Sequence, residues 1–297
     1  MKKIIVWLAV MMYTLSGYAQ DANFHIYLCL GQSNMEGNAK VEEQDTVAVD
    51  SRFQVLAAVD CPNLGRTKGN WYKAVPPLVR CYTGLTPGDY FGRAMVANLP
   101  SNVRVGIINV AVGGCKIELF DKDNYQSYVE TSPDWLKNMV KEYGGNPYAR
   151  LVEMAKLAQK DGVIKGILLH QGESNTNDKD WPSKVKGVYD NLLKDLGLSA
   201  ANVPLLAGEV VHADQNGICA SMNTIIDSLP QVIPTAHVIS SAGCPAAFDN
   251  LHFTAEGYRI LGARYAAKML SILGYGDWTS AQNMKLWYAR PAQDWLE

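Results

Sequence analysis

A serine near the start of the chain, with an aspartate and a histidine near its end, is the residue set most able to do chemistry. Ser33 lies in the segment Gly31–Gly37 (GQSNMEG), whose glycines let a hydroxyl stand clear of the backbone. Asp249 and His252 are three residues apart, so the carboxylate can reach an imidazole nitrogen of its own turn. A serine needs such a base, and a carboxylate on one ring nitrogen leaves the other free to accept a proton. The pattern indicates nucleophilic catalysis.

Each of these patterns also has a plain structural interpretation. Ser33 could cap a short helix, and Asp249 could cap the helix that follows it while His252 lies on the surface. The serine segment is not the G-x-S-x-G elbow, because Met35 stands two residues after Ser33. Local sequence leaves both interpretations open.

Two further polar segments follow apolar runs, where ligands bind in open α/β sheets. Asn109–Gly114 (NVAVGG) ends in two glycines, whose amides can approach a ligand closely. His170–Asn175 (HQGESN) brings an imidazole, an amide and a carboxylate together. Several residues are of metal-ligand type, but none has a metal-binding spacing such as H-E-x-x-H, so we expect no metal: His170, Glu173, His212, Asp214, Asp249 and His252.

Alternating strand and helix patterns must position these segments. The strand-like runs are His25–Leu30, Arg104–Val110, Gly166–His170, Pro204–Val211 and His237–Ser241. The helical stretches are Tyr90–Asn98, Ala149–Gln159, Ser183–Leu196, Cys219–Leu229 and Ala255–Leu273, the last with Thr254 as its N-cap. Short, continuously apolar strands that alternate with helices predict an α/β protein. We expect a three-layer α/β/α sandwich around a central, mainly parallel, five-stranded sheet.

Two regions depart from this alternation. Asn38–Gly88 is rich in turn residues and predicts a long loop, in which Trp71 and Tyr72 could either anchor the loop or offer a stacking surface to a sugar. The tail Tyr275–Glu297 carries Trp278, Trp287 and Trp295, which we expect to fasten it to the body.

Composition and the N-terminus set broad limits. The chain has 297 residues, 48% of them hydrophobic, and a formal net charge of -2, so no basic face for nucleic acid is indicated. Lys2 and Lys3 precede a short apolar run and a cleavage pattern ending at Ala19. We therefore expect a signal peptide at 1–19 and one domain at 20–297. The protein would be exported to the periplasm or secreted, without a lipid-attachment cysteine and without membrane insertion after cleavage.

The six cysteines lie after this predicted cleavage site, so disulfides are possible. Cys29 lies within an apolar strand and is expected to be a buried thiol. Cys61 with Cys81, and Cys219 with Cys244, are the candidate pairs.

Five segments, in order, resemble the SGNH hydrolases, and within them the sialate O-acetylesterase-like group that includes the family 6 carbohydrate esterases (acetylxylan esterases). The segments are Gly31–Gly37, Gly84–Arg93, Ala111–Gly114, His170–Ser174 and Asp249–Phe253. The resemblance spans about Phe24 to Leu273 and implies an SGNH, flavodoxin-like fold.

The resemblance also implies the roles of the site residues. Ser33 is the nucleophile, His252 the general base and Asp249 its orienting acid, with Glu173 as the rival for that role. The oxyanion hole comprises the Ser33 amide, the Gly114 amide and the side-chain amide of Gln171. No cofactor is implied.

The implied activity is removal of O-acetyl groups from carbohydrate, with acetylated xylan or a related plant polysaccharide ahead of acetylated sialic acid. Export and aromatics such as Trp71, Tyr72 and Trp135 motivate this order. A non-catalytic carbohydrate-binding protein on the same fold is the alternative from another class.

Overall fold

The computed structural model describes residues 20–276 and builds them around one sheet. Its strands are β1 (Asp21–Gly31), β2 (Phe53–Leu56), β3 (Trp71–Lys73), β4 (Arg104–Ala111), β5 (Gly162–His170), β6 (Leu205–Gly208) and β7 (Ala236–Ile239). They are ordered β3-β2-β4-β1-β5-β6-β7, and every neighbouring pair is parallel except β2 with β3. The predicted signal peptide (1–19) and the three tail tryptophans lie outside the described residues.

Helices cover both faces of the sheet, which confirms the predicted three layers. They are α1 (Ser33–Glu36), α2 (Glu43–Thr46), α3 (Pro87–Asn98), α4 (Tyr125–Thr131), α5 (Asp134–Glu142), α6 (Pro147–Ala158), α7 (Trp181–Leu196), α8 (Asn223–Ile226), α9 (Leu229–Val232) and α10 (Ala255–Ile272). Successive residues of a strand point to opposite faces. Ile26 and Leu28 therefore join the core beneath α6 and α7, whereas Tyr27 and Cys29 join the core beneath α3 and α10.

The register of the central strands brings the polar segments together. β1 lies between β4 and β5, with Gly31 opposite both Ala111 and His170. The carboxyl ends of β1, β4 and β5 therefore lie side by side at the same edge of the sheet. The Ser33 turn, the Gly113-Gly114 turn and the segment after His170 all start from this edge of the sheet.

The sheet has seven strands rather than the predicted five, because the predicted loop Asn38–Gly88 contributes β2 and β3. These strands are four and three residues long, too short for a clear apolar period. Trp71 serves as an anchor. Its indole donates to Asp161 at 2.9 Å, and its ring centroid lies 4.8 Å from that of Phe24. The Tyr72 hydroxyl accepts a hydrogen bond from the Thr67 amide at 2.8 Å, so it too ties down its own segment.

One helix prediction is wrong in its extent. Cys219–Leu229 does not form a continuous helix but divides into a 3-10 turn and the short helices α8 and α9. Pro230, in the first turn of α9, explains part of the break, because proline has no amide to donate and its ring obstructs the carbonyl four residues before it. The Thr254 N-cap is confirmed, because its hydroxyl accepts from the Gly257 amide at 3.1 Å.

One of the two predicted disulfides is present and the other is not. Cys61 and Cys81 form a disulfide. Cys219 and Cys244 are both free, which corrects the second predicted pair. Cys244 is buried and its sulfur lies 3.4 Å from the Arg264 guanidinium. Cys219 instead lies with its sulfur 3.8 Å from the carbonyl oxygen of Glu173.

A buried carboxyl at the start of α3 predicts a pH-dependent stability. Asp89 accepts a hydrogen bond from the Thr86 amide at 2.9 Å, and burial raises its pKa from 3.8 to about 7. The pKa of Asp89 is higher in the folded state than in the unfolded state. The contribution of its protonated carboxyl to the free energy of unfolding is therefore fully present below pH 3.8 and is lost as the pH rises through 7. Asp89→Asn keeps a hydrogen-bond acceptor but cannot ionise. We expect its unfolding free energy to decrease less between pH 4 and 7 than that of the wild type. Urea titrations across this range measure it, and an unchanged slope would contradict the assignment.

Candidate active site

The turn after β1 presents Ser33 at the edge of the sheet. Gly31 is required there because a Cβ at this position would lie 2.0 Å from the carbonyl oxygen of His170. The backbone then turns directly into α1, where the amides of Met35 and Glu36 both donate to the Gln32 carbonyl at 2.8 Å. Ser33 is the first residue of this helix and is only partly buried, so its hydroxyl remains accessible.

Ser33, His252 and Asp249 form a continuous hydrogen-bonded chain. Nε2 of His252 lies 2.8 Å from the Ser33 hydroxyl oxygen, and Nδ1 lies 2.7 Å from Oδ2 of Asp249. The other carboxylate oxygen of Asp249 accepts from the backbone amides of Leu251 and His252, each at 3.0 Å. Burial acts to raise the pKa of Asp249, but these hydrogen bonds outweigh it and hold the pKa below its usual range. The aspartate therefore stays ionised and orients the ring.

Glu173 lies beneath this chain rather than in it. Its Oε1 accepts a hydrogen bond from the side-chain amide of Asn34, which also donates to the Leu251 carbonyl at 3.0 Å. The Tyr258 hydroxyl donates to Oδ1 of Asn34 at 2.6 Å. Burial raises the pKa of the Glu173 carboxyl. Glu173 thus braces Asn34 and the histidine loop from below and makes no hydrogen bond to His252.

His170 is fully buried at the end of β5 and does not reach Ser33 by any hydrogen bond. Neither of its ring nitrogens forms a hydrogen bond with residues 20–276, and the nearer oxygen of Glu173 is 3.7 Å from Nε2. Burial lowers the pKa of His170 to about 3, so the ring is neutral. Its ring packs edge-on against Phe253 with centroids 5.7 Å apart, as part of the support below the site.

Two backbone amides at this edge are available to a ligand. Neither the Ser33 amide nor the Gly114 amide donates to another residue within 20–276. The adjacent Gly113 amide is taken by Oε1 of Glu36 at 3.1 Å. Gly114 has φ +69°, in the region that favours glycine. Free backbone amides next to a serine nucleophile are the kind of donor that stabilises the oxyanion formed from a substrate carbonyl oxygen.

The side-chain amide of Gln171, the predicted third oxyanion donor, hydrogen-bonds to other residues of the protein. Its Oε1 accepts from the Trp181 indole, which fixes the orientation of the amide. Its Nε2 then donates to Oδ1 of Asn175 at 2.7 Å and to Oε1 of Gln32 at 3.1 Å. Both amide protons are therefore used inside the protein, which corrects the prediction for this residue.

Gln32 is a candidate site residue that the sequence interpretation missed. Its Oε1 accepts from the Ser174 amide at 3.2 Å as well as from Gln171, so its Nε2 points the other way. That Nε2 donates to none of the residues 20–276. The signal for this residue in the sequence is its position directly before Ser33. Choosing between Gln32 and Gln171 as the side-chain donor requires the hydrogen-bond partners of both, which the sequence does not give.

The geometry coincides with a family match. The family model described as carbohydrate esterase, sialic acid-specific acetylesterase, matches residues 23–271. This chain belongs to that carbohydrate esterase family. The predicted resemblance is thereby confirmed, and the protein is a carboxylic ester hydrolase.

Relatives and solved structures agree with the family. A probable carbohydrate esterase of Arabidopsis thaliana is 26% identical over 262 residues, covering 83% of this chain and 90% of the relative. The X-ray structure of that protein has a TM-score of 0.64 at 22% identity, over 84% of this chain and 99% of its own. NanS has a TM-score of 0.61 at 14% identity, over 87% and 100% of the two chains. A carbohydrate acetylesterase from Xanthomonas citri has a TM-score of 0.58 at 17% identity, over 83% of this chain and 56% of its own. At these identities the structures show a shared fold.

Within 20–276, no group of three or more histidines, cysteines, aspartates or glutamates is arranged to hold a metal ion. No helix in this part of the chain is long and apolar enough to cross a membrane.

Proposed function

We propose that this carbohydrate esterase removes O-acetyl groups through an acetyl-enzyme intermediate on Ser33. One observation carries the proposal: the unbroken chain from the Ser33 hydroxyl through His252 to Asp249, at 2.8 and 2.7 Å. Both distances lie within the range that proton transfer in such a triad needs.

The first half-reaction forms the acyl-enzyme. Nε2 of His252 accepts the hydroxyl proton as the Ser33 oxygen attacks the acetyl carbonyl carbon, and Asp249 stabilises the imidazolium that results. The amides of Ser33 and Gly114 and the side-chain amide of Gln32 donate to the oxyanion. A single donor of this kind is worth on the order of 10²–10³ in rate. His252 then gives the proton to the departing sugar oxygen as the carbon–oxygen bond breaks.

The second half-reaction repeats the sequence with water. His252 removes a proton from a water molecule that attacks the acetyl-serine carbonyl, and the same donors hold the second oxyanion. Collapse of this intermediate returns the proton to Ser33 and releases acetate. Every proton moves between groups of the chain, substrate and water.

We favour a neutral acetylated polysaccharide, such as acetylated xylan or a related plant glycan, over acetylated sialic acid. Sialic acid carries a carboxylate, which a free arginine would bind best. Each arginine between residues 20 and 276 already binds a carboxylate or a main-chain carbonyl. The relatives named for carbohydrate esterase activity support the class, and the description of the family keeps sialate as the alternative substrate.

Acetate release from acetylated xylan and from 9-O-acetylated sialic acid distinguishes these substrates. We expect kcat/KM on the xylan to exceed that on the sialate by at least about tenfold, equivalent to 1.4 kcal/mol. A preference for the sialate would reverse the assignment, and equal, weak release from both would indicate a generalist esterase. Binding of the glycan without any acetate release would instead establish the non-catalytic alternative.

We also propose export, with cleavage after Ala19. The first strand begins at Asp21, so removal of residues 1–19 would leave the sheet intact. N-terminal sequencing of protein recovered from the periplasm and from the medium tests this. Material that retains its first residues would contradict it.

A further inference from the structure

An exposed tryptophan lies directly beside the oxyanion site. Trp135 is the second residue of α5 and 54% of its surface is exposed. A Cβ built on Gly114 would lie only 2.6 Å from Cη2 of this indole, so the ring rests against the glycine. Anything bound with its ester at Ser33 would have this ring as a neighbour.

The same face of α5 continues away from Ser33. Met139 and Glu142 follow Trp135 at four and seven residues, the spacing of one helix face. Arg80 reaches this face, since its guanidinium pairs with Glu142 and lies 3.1 Å from the Met139 sulfur. Arg80 also pairs with Glu36, whose carboxylate holds the Gly113 amide. The ion pairs of Arg80 and the hydrogen bond from Gly113 to Glu36 therefore connect α5 to the edge of the sheet that carries Ser33.

A cleft of about 780 Å³ opens where these elements meet. Its walls are residues 36–41, residues 77–84 and Glu142, and the second wall is tethered by the disulfide between Cys61 and Cys81. Tyr82 stands on that wall with 90% of its surface exposed. This volume is in the range of ligand-binding clefts.

The charges of the cleft favour an uncharged ligand. Glu36 and Glu142 on its walls are balanced by Arg80 and Lys40, and Arg80 pairs with both carboxylates. No net charge is left to attract an ion. The exposed ring of Tyr82 beside these polar groups suits a sugar, whose ring has an apolar face and a hydroxylated rim.

We propose that this cleft binds the neutral saccharide chain that extends from the acetylated residue. Trp135, which lies against Gly114 outside the cleft lining, would contact the chain nearest the ester, and Tyr82 on the cleft wall would contact it farther along. The span from Trp135 to Glu142 is about 10 Å of helix, longer than a single sugar ring. The inference rests on the proposed function and adds a subsite that selects oligomers over single sugars.

The experiment compares acetylated xylo-oligosaccharides with an acetylated xylose monosaccharide. In the wild type, kcat/KM should be about tenfold higher for the hexamer than for the monosaccharide, with the gain in KM. Tyr82→Ala should bring this ratio close to one, and Trp135→Ala should lower it as well. Taking the ratio within each variant cancels any general loss of activity. Phe248→Ala is the matched control, because Phe248 is fully exposed but does not line the cleft, so its ratio should stay at the wild-type value.

A binding measurement gives a second readout. Calorimetry with unacetylated xylohexaose and a Ser33→Ala background should show Kd raised about tenfold by Tyr82→Ala. If the wild type releases no acetate from any saccharide, the proposed function fails. If it does release acetate but shows no dependence on chain length, or if Phe248→Ala and Tyr82→Ala lower the ratio equally, the cleft inference alone is overturned.

Discussion

Replacement of Ser33 by alanine should lower kcat for acetate release by about 10⁶-fold, since loss of the nucleophile removes the acyl-enzyme route. The partner of the lost hydroxyl, Nε2 of His252, lies at the partly exposed edge of the sheet, so the fold should persist. The measurement is acetate release with thermal unfolding as the check on structure.

Ser174→Ala provides the matched comparison for this variant. Ser174 is a neighbouring hydroxyl that donates to the Gly114 carbonyl at 3.0 Å, whereas the His252 ring nitrogens bind Asp249 and Ser33. Its loss should cost less than about tenfold in kcat. Near-normal activity of the Ser33 variant, or a collapse of activity in the Ser174 variant alone, would show that another hydroxyl is the nucleophile.

Asp249→Asn should lower kcat by about 10⁴-fold. An amide in place of the carboxylate favours the wrong tautomer of His252 and no longer stabilises its charged form. The 2.7 Å contact between Nδ1 and Oδ2 is the interaction that this variant alters. Steady-state kinetics on an acetylated oligosaccharide measure the loss.

Glu173→Gln tests which of the two candidate carboxyls, that of Asp249 or that of Glu173, orients His252. Its amide oxygen can still accept from Asn34, and burial already raises the pKa of the native carboxyl toward the neutral form. The loss in kcat should therefore be at least about 100-fold smaller than that of Asp249→Asn. Equal losses in the two variants would mean that Glu173 orients the histidine as much as Asp249 does.

The pattern of strands could be predicted because continuous apolar runs between glycine-rich turns are a local property. The sequence predicts β1, β4 and β5, with the polar segments at their ends. It does not predict β2 and β3, because strands of four and three residues depend on pairing with β4 and with each other rather than on their own composition. The predicted helix Cys219–Leu229 is interrupted because Pro230 follows it directly, and proline has no amide with which to continue a helix.

By itself, the sequence determined which residue types could do chemistry and the order in which they occur. Ser33, the Asp249–His252 spacing and the Gly113-Gly114 turn are readable without coordinates. Tertiary structure decided which partner each side chain takes. Gln171 is 139 residues from Gln32 in the chain and nevertheless donates to it, which commits the Gln171 amide to the protein interior. Contacts of this kind form only when the strands align, and hydrogen bonds depend on distances of a few tenths of an ångström that no residue spacing specifies.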